Sequence, residues 1–344
     1  MRSGGREGWS PECGRWATAA GVGCLFPVRG FLAWRGESEY GMKGGTMKRV
    51  LILGSGGRLG AALEREWKRA GLEVVGWDRR AFSLDDPSRF SARLEEARFD
   101  VLVNCAALTN VDYCEEHRDE AMRVNAEAPG VIARFCEARG ARCVHLSTDY
   151  VFDGSGNRPY TEEMEPHPVS VYGESKRAGE IAVLAAGDSH WVVRISWVFG
   201  PDRPSFVDGV VAKAFREERV EAVSNKWASP TYTVDAAALL RPLVGPGSVA
   251  GGGVVHLSNA GACSWQEYGQ WALDCAWEAG LPLRTRTVGP LAMEDLKAFV
   301  AKRPAYSVLD CGKLERLGGE APRSWKEAVR EYVLQVVVPT LKGS

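Results

Sequence analysis

A tyrosine and a lysine stand four residues apart, at Tyr172 and Lys176, a spacing that places both side chains on one face of a helix. A free tyrosine has a pKa of about 10, which is too high for efficient proton exchange at neutral pH, and a neighbouring ammonium group lowers it. Tyr172 can then donate a proton to a carbonyl oxygen while hydride reaches the carbon. Thr148 can donate a hydrogen bond to the same oxygen. These three side chains predict carbonyl reduction.

The tyrosine and lysine spacing is common by chance, so the prediction needs a hydride carrier, which a glycine pattern indicates. Val50–Leu53 reads as a strand and runs directly into Gly54-Ser55-Gly56-Gly57-Arg58-Leu59-Gly60. At such a junction Gly54 allows a tight turn, Gly57 lets the backbone approach a pyrophosphate, and Gly60 lets the helix pack on the sheet. A purely structural turn is disfavoured because the pattern lies at the first strand-to-helix junction of an alternating chain. We therefore predict a dinucleotide site.

The type of dinucleotide depends on the end of the second predicted strand. Asp78 stands 24 residues after Gly54, where a carboxylate commonly binds the adenosine ribose hydroxyls and favours NAD. Arg79 and Arg80 follow immediately and can instead bind the additional phosphate of NADP. Both arginines can also be ordinary solvated side chains. The sequence therefore predicts NADPH or NADH and leaves the choice open.

Short β-branched runs alternate with amphipathic stretches, the pattern of a parallel sheet with helices on both faces. We predict an α/β fold, a Rossmann-type doubly wound parallel sheet with a smaller C-terminal substrate-binding domain. Thr148 follows one run at the sheet edge where ligands of such folds bind, and a helix begins near Val171. The predicted strands are Val50–Leu53, Glu73–Trp77, Val101–Asn104, Cys143–Ser147 and Trp191–Ile195.

Prolines and a triple glycine interrupt the chain after Gly200, which indicates a change of domain. We predict a dinucleotide-binding domain over residues 47–200 and mainly a substrate domain over residues 201–344, with some segments returning to the Rossmann core. Helix starts are predicted where a capping residue precedes a glutamate by three positions, at Asp112, Ser264 and Ser324.

Residues 1–46 show no sustained helical or strand period. We interpret them as a disordered extension or as a start assigned too far upstream, with Met47 the true beginning. The alternative is a signal or transit peptide, because arginines precede a mildly apolar stretch. These residues are excluded from the fold argument.

The composition points to small-molecule partners. The chain has 344 residues, 45% of them apolar, and a net charge of −1, so it lacks the basic field that a nucleic-acid partner requires. It also lacks the run of roughly 18 apolar residues that spans a membrane. Nine cysteines without a Cys-x-x-Cys pair and five dispersed histidines predict neither a disulfide framework nor a metal site. We expect a cytoplasmic protein with reduced thiols and no catalytic cysteine.

Several segments resemble the extended short-chain dehydrogenases and, among them, the dTDP-4-dehydrorhamnose reductases. The segment after Ser147 is the most specific. The related sugar-nucleotide dehydratases use a glutamate where this chain has Tyr150, so elimination lacks its acid/base group. The resemblance covers nearly everything from Met47 onward, through Val103–Ala107, Val124–Gly130, Ser147–Gly154, Tyr172–Glu180, Arg194–Gly200 and Arg303-Pro304.

The resemblance implies reduction of the 4-keto group of dTDP-4-dehydro-L-rhamnose to dTDP-L-rhamnose, for surface polysaccharides. It makes Tyr172 the proton donor, Lys176 its electrostatic partner and a ribose ligand, and Thr148 the group that polarises the carbonyl. It further assigns Gly57, Arg58 and Leu59 to the pyrophosphate, Asp78 and Asp85 to the adenosine, Ala107, Leu108 and Thr109 to the cofactor cleft, and Asp149 and Trp197 to the sugar nucleotide. The alternative for Trp197 is a core aromatic. The family also allows a homodimer.

This chain differs from the family pattern in three places, and these differences limit which residue roles the resemblance implies. Some family members bind Mg²⁺ through a glutamate where this chain has Ala62, so no metal is predicted. The family usually reads Asp-Gln-x-Gly-x-Pro-Thr where this chain has Asn225-Lys226-Trp227-Ala228-Ser229-Pro230-Thr231, and Ser205-Phe206 replaces Asn-Phe. These loops belong to the substrate half, so the sugar and the base are the least secure assignments.

Two alternative functions follow. The first is a reductase or epimerase of another nucleotide sugar. The second is a non-catalytic subunit that resembles the reductase-like β subunit of methionine adenosyltransferase, which uses this fold to hold a partner protein.

Overall fold

A computed structural model describes residues 48–84, 87–296, 299–318 and 320–343. The extension 1–46 and Asp85 lie outside the described residues. The strands are β1 (Arg49–Leu53), β2 (Glu73–Trp77), β3 (Val101–Asn104), β4 (Arg142–Thr148), β5 (Trp191–Ile195), β6 (Val198–Phe199), β7 (Val220–Val223), β8 (Trp227–Ala228), β9 (Thr231–Tyr232), β10 (Gly253–Leu257), β11 (Cys263–Ser264) and β12 (Val288–Leu291).

Helices follow most strands. They are α1 (Arg58–Arg69), α2 (Pro87–Glu96), α3 (Val111–Glu116), α4 (Arg118–Met122), α5 (Ala128–Ala138), α6 (Val171–Leu184), α7 (Phe206–Arg216), α8 (Thr233–Leu239), α9 (Arg241–Val244), α10 (Trp265–Glu278), α11 (Gly312–Arg316), α12 (Trp325–Tyr332) and α13 (Val338–Lys342). A π-helical turn, Arg123–Glu127, joins α4 to α5, and a second, Val333–Val337, joins α12 to α13.

A six-stranded parallel sheet forms the centre, in the order β2, β1, β3, β4, β5, β10. All five predicted strands are present in it, each within one residue of its predicted ends, so the predicted fold class is confirmed. The strand order reverses between β1 and β3, because the chain crosses from β2 back over β1. In open α/β sheets such a reversal opens a crevice at the carboxyl ends of the two strands.

The inner strands β1, β3, β4 and β5 are buried on both faces, which is why they read as mostly apolar runs. The edge strand β2 is partly exposed. In β1, Val50 and Ile52 contribute to the core under α1 and α8, whereas Leu51 and Leu53 contribute to the core under α2 and α5. A third core lies among α7, α10 and α12 and is rich in aromatic residues, including Phe199, Tyr268 and Tyr332.

The later part of the chain returns to the sheet through β10, which pairs with β5. Residues Gly45–Ser344 form one compact unit. The division into domains at residue 200 stays a prediction. None of the helices in the described ranges is both long and apolar enough to cross a membrane.

Two predicted helix starts are confirmed and one is wrong. Ser264 and Ser324 form capping boxes with Glu267 and Glu327. The helix after β3 is capped instead by Asn110, whose side chain accepts from the Tyr113 amide at 3.1 Å. Asp112 binds Arg303, at 2.7 Å through Nη2, and this partner lowers the pKa of Asp112 to about 2. A distant ion pair therefore takes the side chain that local spacing assigned to a cap.

Candidate active site

The glycine turn follows β1, and two of its glycines are required by close backbone contacts. Gly54 has φ +80°, and a Cβ there would lie 2.8 Å from the Ala106 amide nitrogen. A Cβ on Gly60 would lie 2.3 Å from the carbonyl oxygen of Gly54. Only glycine satisfies the first position without strain, and only glycine lets α1 start this close to the turn.

The start of α1 offers a suitable cradle for a phosphate group. Gly57 precedes the helix in an extended conformation (φ −85°, ψ 168°), so that its missing side chain leaves the backbone accessible. The first amides of a helix lack intrahelical partners and carry partial positive charge. An anionic pyrophosphate therefore fits the residues at this turn.

A cleft of about 890 Å³ opens at the carboxyl ends of β1, β3 and β4. It brings together residues that lie far apart in the sequence. All the predicted site residues in the described ranges line it: Gly54, Gly57, Arg58, Leu59, Gly60, Asp78, Ala107, Leu108, Thr109, Thr148, Asp149, Tyr172, Lys176 and Trp197.

The end of the cleft where adenosine binding was predicted starts where β2 ends. Asp78 lines the cleft, and its Oδ1 also accepts from the amides of Arg80 and Ala81, at 3.0 Å each. The carboxylate therefore holds the turn as well as facing the cleft. Arg79 and Arg80 line the same region, which places two cations beside the carboxylate.

The candidate catalytic side chains meet where α6 packs on the end of β4. Ser170 caps α6 by accepting from the Gly173 amide at 3.3 Å. A Cβ on Gly173 would lie 2.2 Å from the carbonyl oxygen of Tyr150. Because the helix can approach this closely, Tyr172 reaches the hydroxyl of Thr148.

Burial, rather than charge, dominates the proton affinity of Tyr172. Burial raises its pKa above the ordinary value, and the contact with Thr148 opposes that shift only in part. The prediction that Lys176 lowers this pKa is therefore wrong for the structure as described. Burial also lowers the pKa of Lys176 to about 8, against the opposing charges of Glu180 and Cys105. Tyr172 is consequently a protonated phenol at neutral pH.

A cysteine lines the cleft but is not a nucleophile. Cys105 lines the cleft, but burial raises its pKa to about 12, so it stays a thiol. The seven cysteines in the described ranges are free of disulfides. In the same ranges, no group of three or more His, Cys, Asp or Glu side chains could hold a metal ion. Ala62 is buried on α1.

A buried lysine whose charge acts on Asp149 was missed as a functional candidate. Lys226 is fully buried, and its Nζ donates to the carbonyl oxygen of Pro304 at 2.6 Å. Burial lowers its pKa to about 8, while the charge of Asp149 opposes this shift. Asp149 also accepts from Ser307 at 2.5 Å. The substituted loop was visible in the sequence, but nothing there indicated that Lys226 turns inward.

Two arginines join the glycine turn to the loop after β6. Arg58 donates to the carbonyl oxygens of Val198 and Arg203, at 3.2 Å each. Arg203 lines the cleft and donates from Nε to the carbonyl oxygen of Gly56 at 2.7 Å. Two arginine side chains therefore lie beside the glycine turn that is the candidate site for the pyrophosphate. Arg203 belongs to no motif, so the sequence offered no signal for it.

Trp197 lies between the cleft and the aromatic core, and its predicted contact with the sugar nucleotide stays a prediction. It lines the cleft, and its ring also stacks on Tyr268 with centroids 5.9 Å apart. It has φ 41°, the left-handed region that a bulky residue rarely adopts. Such backbone strain is maintained only where the surroundings hold it, and it occurs frequently at functional sites.

Comparison with known proteins agrees with this geometry. Residues 47–338 match the family described as RmlD substrate binding domain. The chain is 35% identical to the spore coat polysaccharide biosynthesis protein SpsK of Bacillus subtilis, over 83% of this chain and 97% of that protein. It is 37% identical to a dTDP-4-dehydrorhamnose reductase of Streptomyces griseus, over 82% of this chain and 92% of that enzyme.

Solved structures give the same result. The crystal structure of a dTDP-4-dehydrorhamnose reductase from Bacillus anthracis in complex with NADP superposes with a TM-score of 0.76 and 30% identity, over 84% of this chain and 99% of that one. The match therefore extends over most of this chain and nearly all of that enzyme. This chain belongs to the RmlD substrate binding domain family, the group of the dTDP-4-dehydrorhamnose reductases.

Proposed function

We propose that the protein catalyses the NAD(P)H-dependent reduction of the 4-keto group of dTDP-4-dehydro-L-rhamnose to dTDP-L-rhamnose, in dTDP-rhamnose biosynthesis. One observation carries the proposal: Tyr172, Lys176 and Thr148 line the same cleft as the glycine turn. A proton donor and a dinucleotide cradle thus face one space. The activity of the Streptomyces griseus and Bacillus anthracis relatives supports the choice of substrate.

The cofactor would lie along the carboxyl ends of β1, β2 and β3. Gly57 and the first amides of α1 would hold its pyrophosphate, and Asp78 its adenosine ribose. Lys176 would contact the second ribose. When bound, the reduced nicotinamide supplies the hydride. NADP in the Bacillus anthracis relative supports a nicotinamide cofactor, and Arg79 and Arg80 favour the phosphorylated form.

The chain's own groups handle the proton. Tyr172, a phenol at neutral pH, donates its proton to the sugar carbonyl oxygen as negative charge develops there. The hydroxyl of Thr148 stabilises that oxygen by a hydrogen bond. Its Oγ1 accepts from the Tyr150 amide at 3.2 Å and donates to Oδ1 of Asp149 at 3.1 Å, so the hydroxyl would turn from this carboxylate to the substrate oxygen. Burial excludes water, which strengthens each of these interactions.

Asp149 and Trp197 would contact the nucleotide sugar at the other end of the cleft. The carboxylate can accept from sugar hydroxyl groups, and the aromatic ring can pack on an apolar ring face. In this proposal residues 47–200 bind the cofactor, and residues 201–344 mainly bind the substrate. The enzyme would act in the cytoplasm, where nicotinamide cofactors are supplied, and it would form the homodimer that the family resemblance allows. Sedimentation at several protein concentrations would test the dimer.

The decisive experiment mixes the full chain with dTDP-4-dehydro-L-rhamnose and follows NADPH and NADH absorbance separately. We expect oxidation of a reduced cofactor, in an amount equal to the dTDP-L-rhamnose formed. The ratio of the two rates then ranks the cofactors. A folded protein that binds cofactor but oxidises neither would contradict the proposal.

A second candidate function is the reduction of a different 4-keto nucleotide sugar. Lys226 favours it, because this buried cation occupies a substrate-half loop that departs from the family pattern. Turnover of another 4-keto sugar at a higher kcat/KM would favour this candidate. An epimerase would instead leave the cofactor pool unchanged. A non-catalytic subunit would keep full cellular activity when Tyr172 is replaced by Phe, and would co-purify with a second enzyme.

A further inference from the structure

The glycine turn and the loop after β6 are joined by hydrogen bonds in both directions. Arg58, the first residue of α1, donates from Nε to the carbonyl oxygen of Arg203 at 3.2 Å and from Nη2 to that of Pro204. In the other direction, Nε of Arg203 donates to the carbonyl oxygen of Gly56 at 2.7 Å. Both the backbone and the side chain of Arg203 are therefore fixed beside the turn.

The two guanidinium groups differ in the donors that they have left. Arg58 donates from all three of its side-chain nitrogens, and its third contact runs from Nη1 to the carbonyl oxygen of Val198 at 3.2 Å. Arg203 donates from Nε alone to the residues that the structure describes. Both of its Nη nitrogens, with two N–H groups each, consequently remain available. Because Arg203 is exposed and lines the cleft, a ligand there can accept from them.

The charge of the two arginines is also not balanced. Their partners are carbonyl oxygens, which accept hydrogen bonds but carry no net charge. Within the described ranges neither side chain forms an ion pair, and the adjacent carboxylate of Asp202 binds Arg65 instead. Positive charge therefore lies beside the glycine turn without an anionic partner. A diphosphate, with a negative charge on each phosphate, has the opposite charge and the acceptors that these donors need.

We propose that Arg203 is a ligand of the cofactor diphosphate, which it binds through Nη1 and Nη2. The inference rests on the proposed binding of a nicotinamide cofactor at the glycine turn. The planar fork of an arginine fits two phosphate oxygens at once, and such charge-assisted hydrogen bonds are stronger than neutral ones. The amides at the start of α1 supply only partial charge. Arg203 adds the formal charge that they lack.

A nucleotide sugar also has a diphosphate, and the position of Arg203 distinguishes the two sources. Its guanidinium is bound to Gly56, the residue before Gly57, which is the N-cap of α1. The candidate catalytic residues Thr148 and Tyr172 lie on other elements, at the end of β4 and on α6. The contact with the glycine turn therefore favours the diphosphate of the cofactor.

Binding of ADP-ribose tests the assignment, because this fragment has the diphosphate but neither the nicotinamide nor the additional phosphate of NADP. In calorimetric titrations at low salt, Arg203→Gln should weaken binding on the order of tenfold. Arg216→Gln is a matched control, since it removes the same charge from the exposed last turn of α7, outside the residues that line the cleft. It should bind ADP-ribose normally. Equal affinities of Arg203→Gln and the unaltered protein would overturn the proposal.

Salt separates a charge contact from the mere loss of the hydrogen bond to Gly56. Between about 50 mM and about 500 mM salt, screening should reduce the difference in affinity between Arg203→Gln and the unaltered protein. A difference that stays constant would show that Arg203 only holds the loop, and the proposal would be wrong. Arg203→Lys keeps the charge without the planar fork, so it should restore part of the lost affinity.

The second probe is dTDP, which has the diphosphate of the nucleotide sugar. Arg203→Gln should bind dTDP as well as the unaltered protein does. A loss of dTDP affinity with unchanged ADP-ribose affinity would assign Arg203 to the substrate and overturn the proposal. Neither titration needs turnover. If ADP-ribose binding weakens as expected but dTDP-4-dehydro-L-rhamnose is not reduced, the proposed function fails and the inference about Arg203 stands.

Discussion

The Nζ of Lys226 lies 4.9 Å from the centre of the Tyr150 ring, inside the protein. Tyr150 meets the ring of Tyr172 edge-on, with ring centroids 5.6 Å apart. A single aromatic ring therefore links a buried cation to the candidate proton donor. The charge of the same cation favours the ionised form of Asp149, which lines the cleft. Lys226 and Tyr150 therefore act on the residues of the cleft through charge as well as through packing.

Replacing Lys226 with methionine should destabilise the protein by about 1–3 kcal/mol, because the buried carbonyl oxygen of Pro304 loses its donor and the charge that favours ionised Asp149 is removed. Urea unfolding measures this loss. An additional Asp149→Asn change should cost much less in the Lys226→Met variant than in the unaltered protein, since the two side chains interact. If the losses in unfolding free energy from the two substitutions simply add, the two side chains do not interact.

Tyr172→Phe should lower kcat on the order of 10²-fold or more, because the proton donor is lost. Binding of reduced cofactor, followed by fluorescence titration, should be retained. Tyr160→Phe is a suitable control, since it removes a hydroxyl that binds Asp153 at 2.9 Å outside the residues that line the cleft. Near-normal turnover of Tyr172→Phe would refute the assigned role.

Gly57→Val should abolish cofactor binding in a folded protein. Its φ of −85° suits any residue, so the added side chain mainly blocks the approach of the pyrophosphate to the backbone. Isothermal titration with NADPH and NADH measures the loss. Gly209→Val, on the exposed side of α7 with no neighbour within 4 Å of its Cβ, should bind the cofactor normally. Unaltered binding by Gly57→Val would discard the phosphate site.

Stability should fall below about pH 6.5 partly because of His256. Burial, with the charge of Arg194, lowers its pKa from 6.5 to about 3. Between pH 6.5 and about pH 3, His256 therefore binds a proton in the unfolded chain but not in the folded protein. The free energy of unfolding should fall by about 1.4 kcal/mol per pH unit for this group as the pH decreases. His256→Gln should show a shallower slope from pH 6.5 to 3 in urea unfolding, and an equal slope would contradict the assignment.

Much of the fold could be predicted because its signals are local. The inner strands of the central sheet are buried on both faces, so each appears as a mostly apolar run. The capping boxes at Ser264 and Ser324 involve residues only three positions apart. The cap at Asp112 was predicted wrongly because its carboxylate binds Arg303, 191 positions away. Local spacing carries no information about such a partner.

The sequence by itself determined the dinucleotide turn and the helix face that carries Tyr172 and Lys176, since backbone conformation and helical period are properties of a few adjacent residues. Only the tertiary structure decided the proton affinities at the site. Burial of Tyr172 outweighs the contact with Thr148, and the charges of Lys226 and Asp149 act on each other across 77 positions of the chain. Desolvation and charge act through space, so they depend on which distant segments pack together.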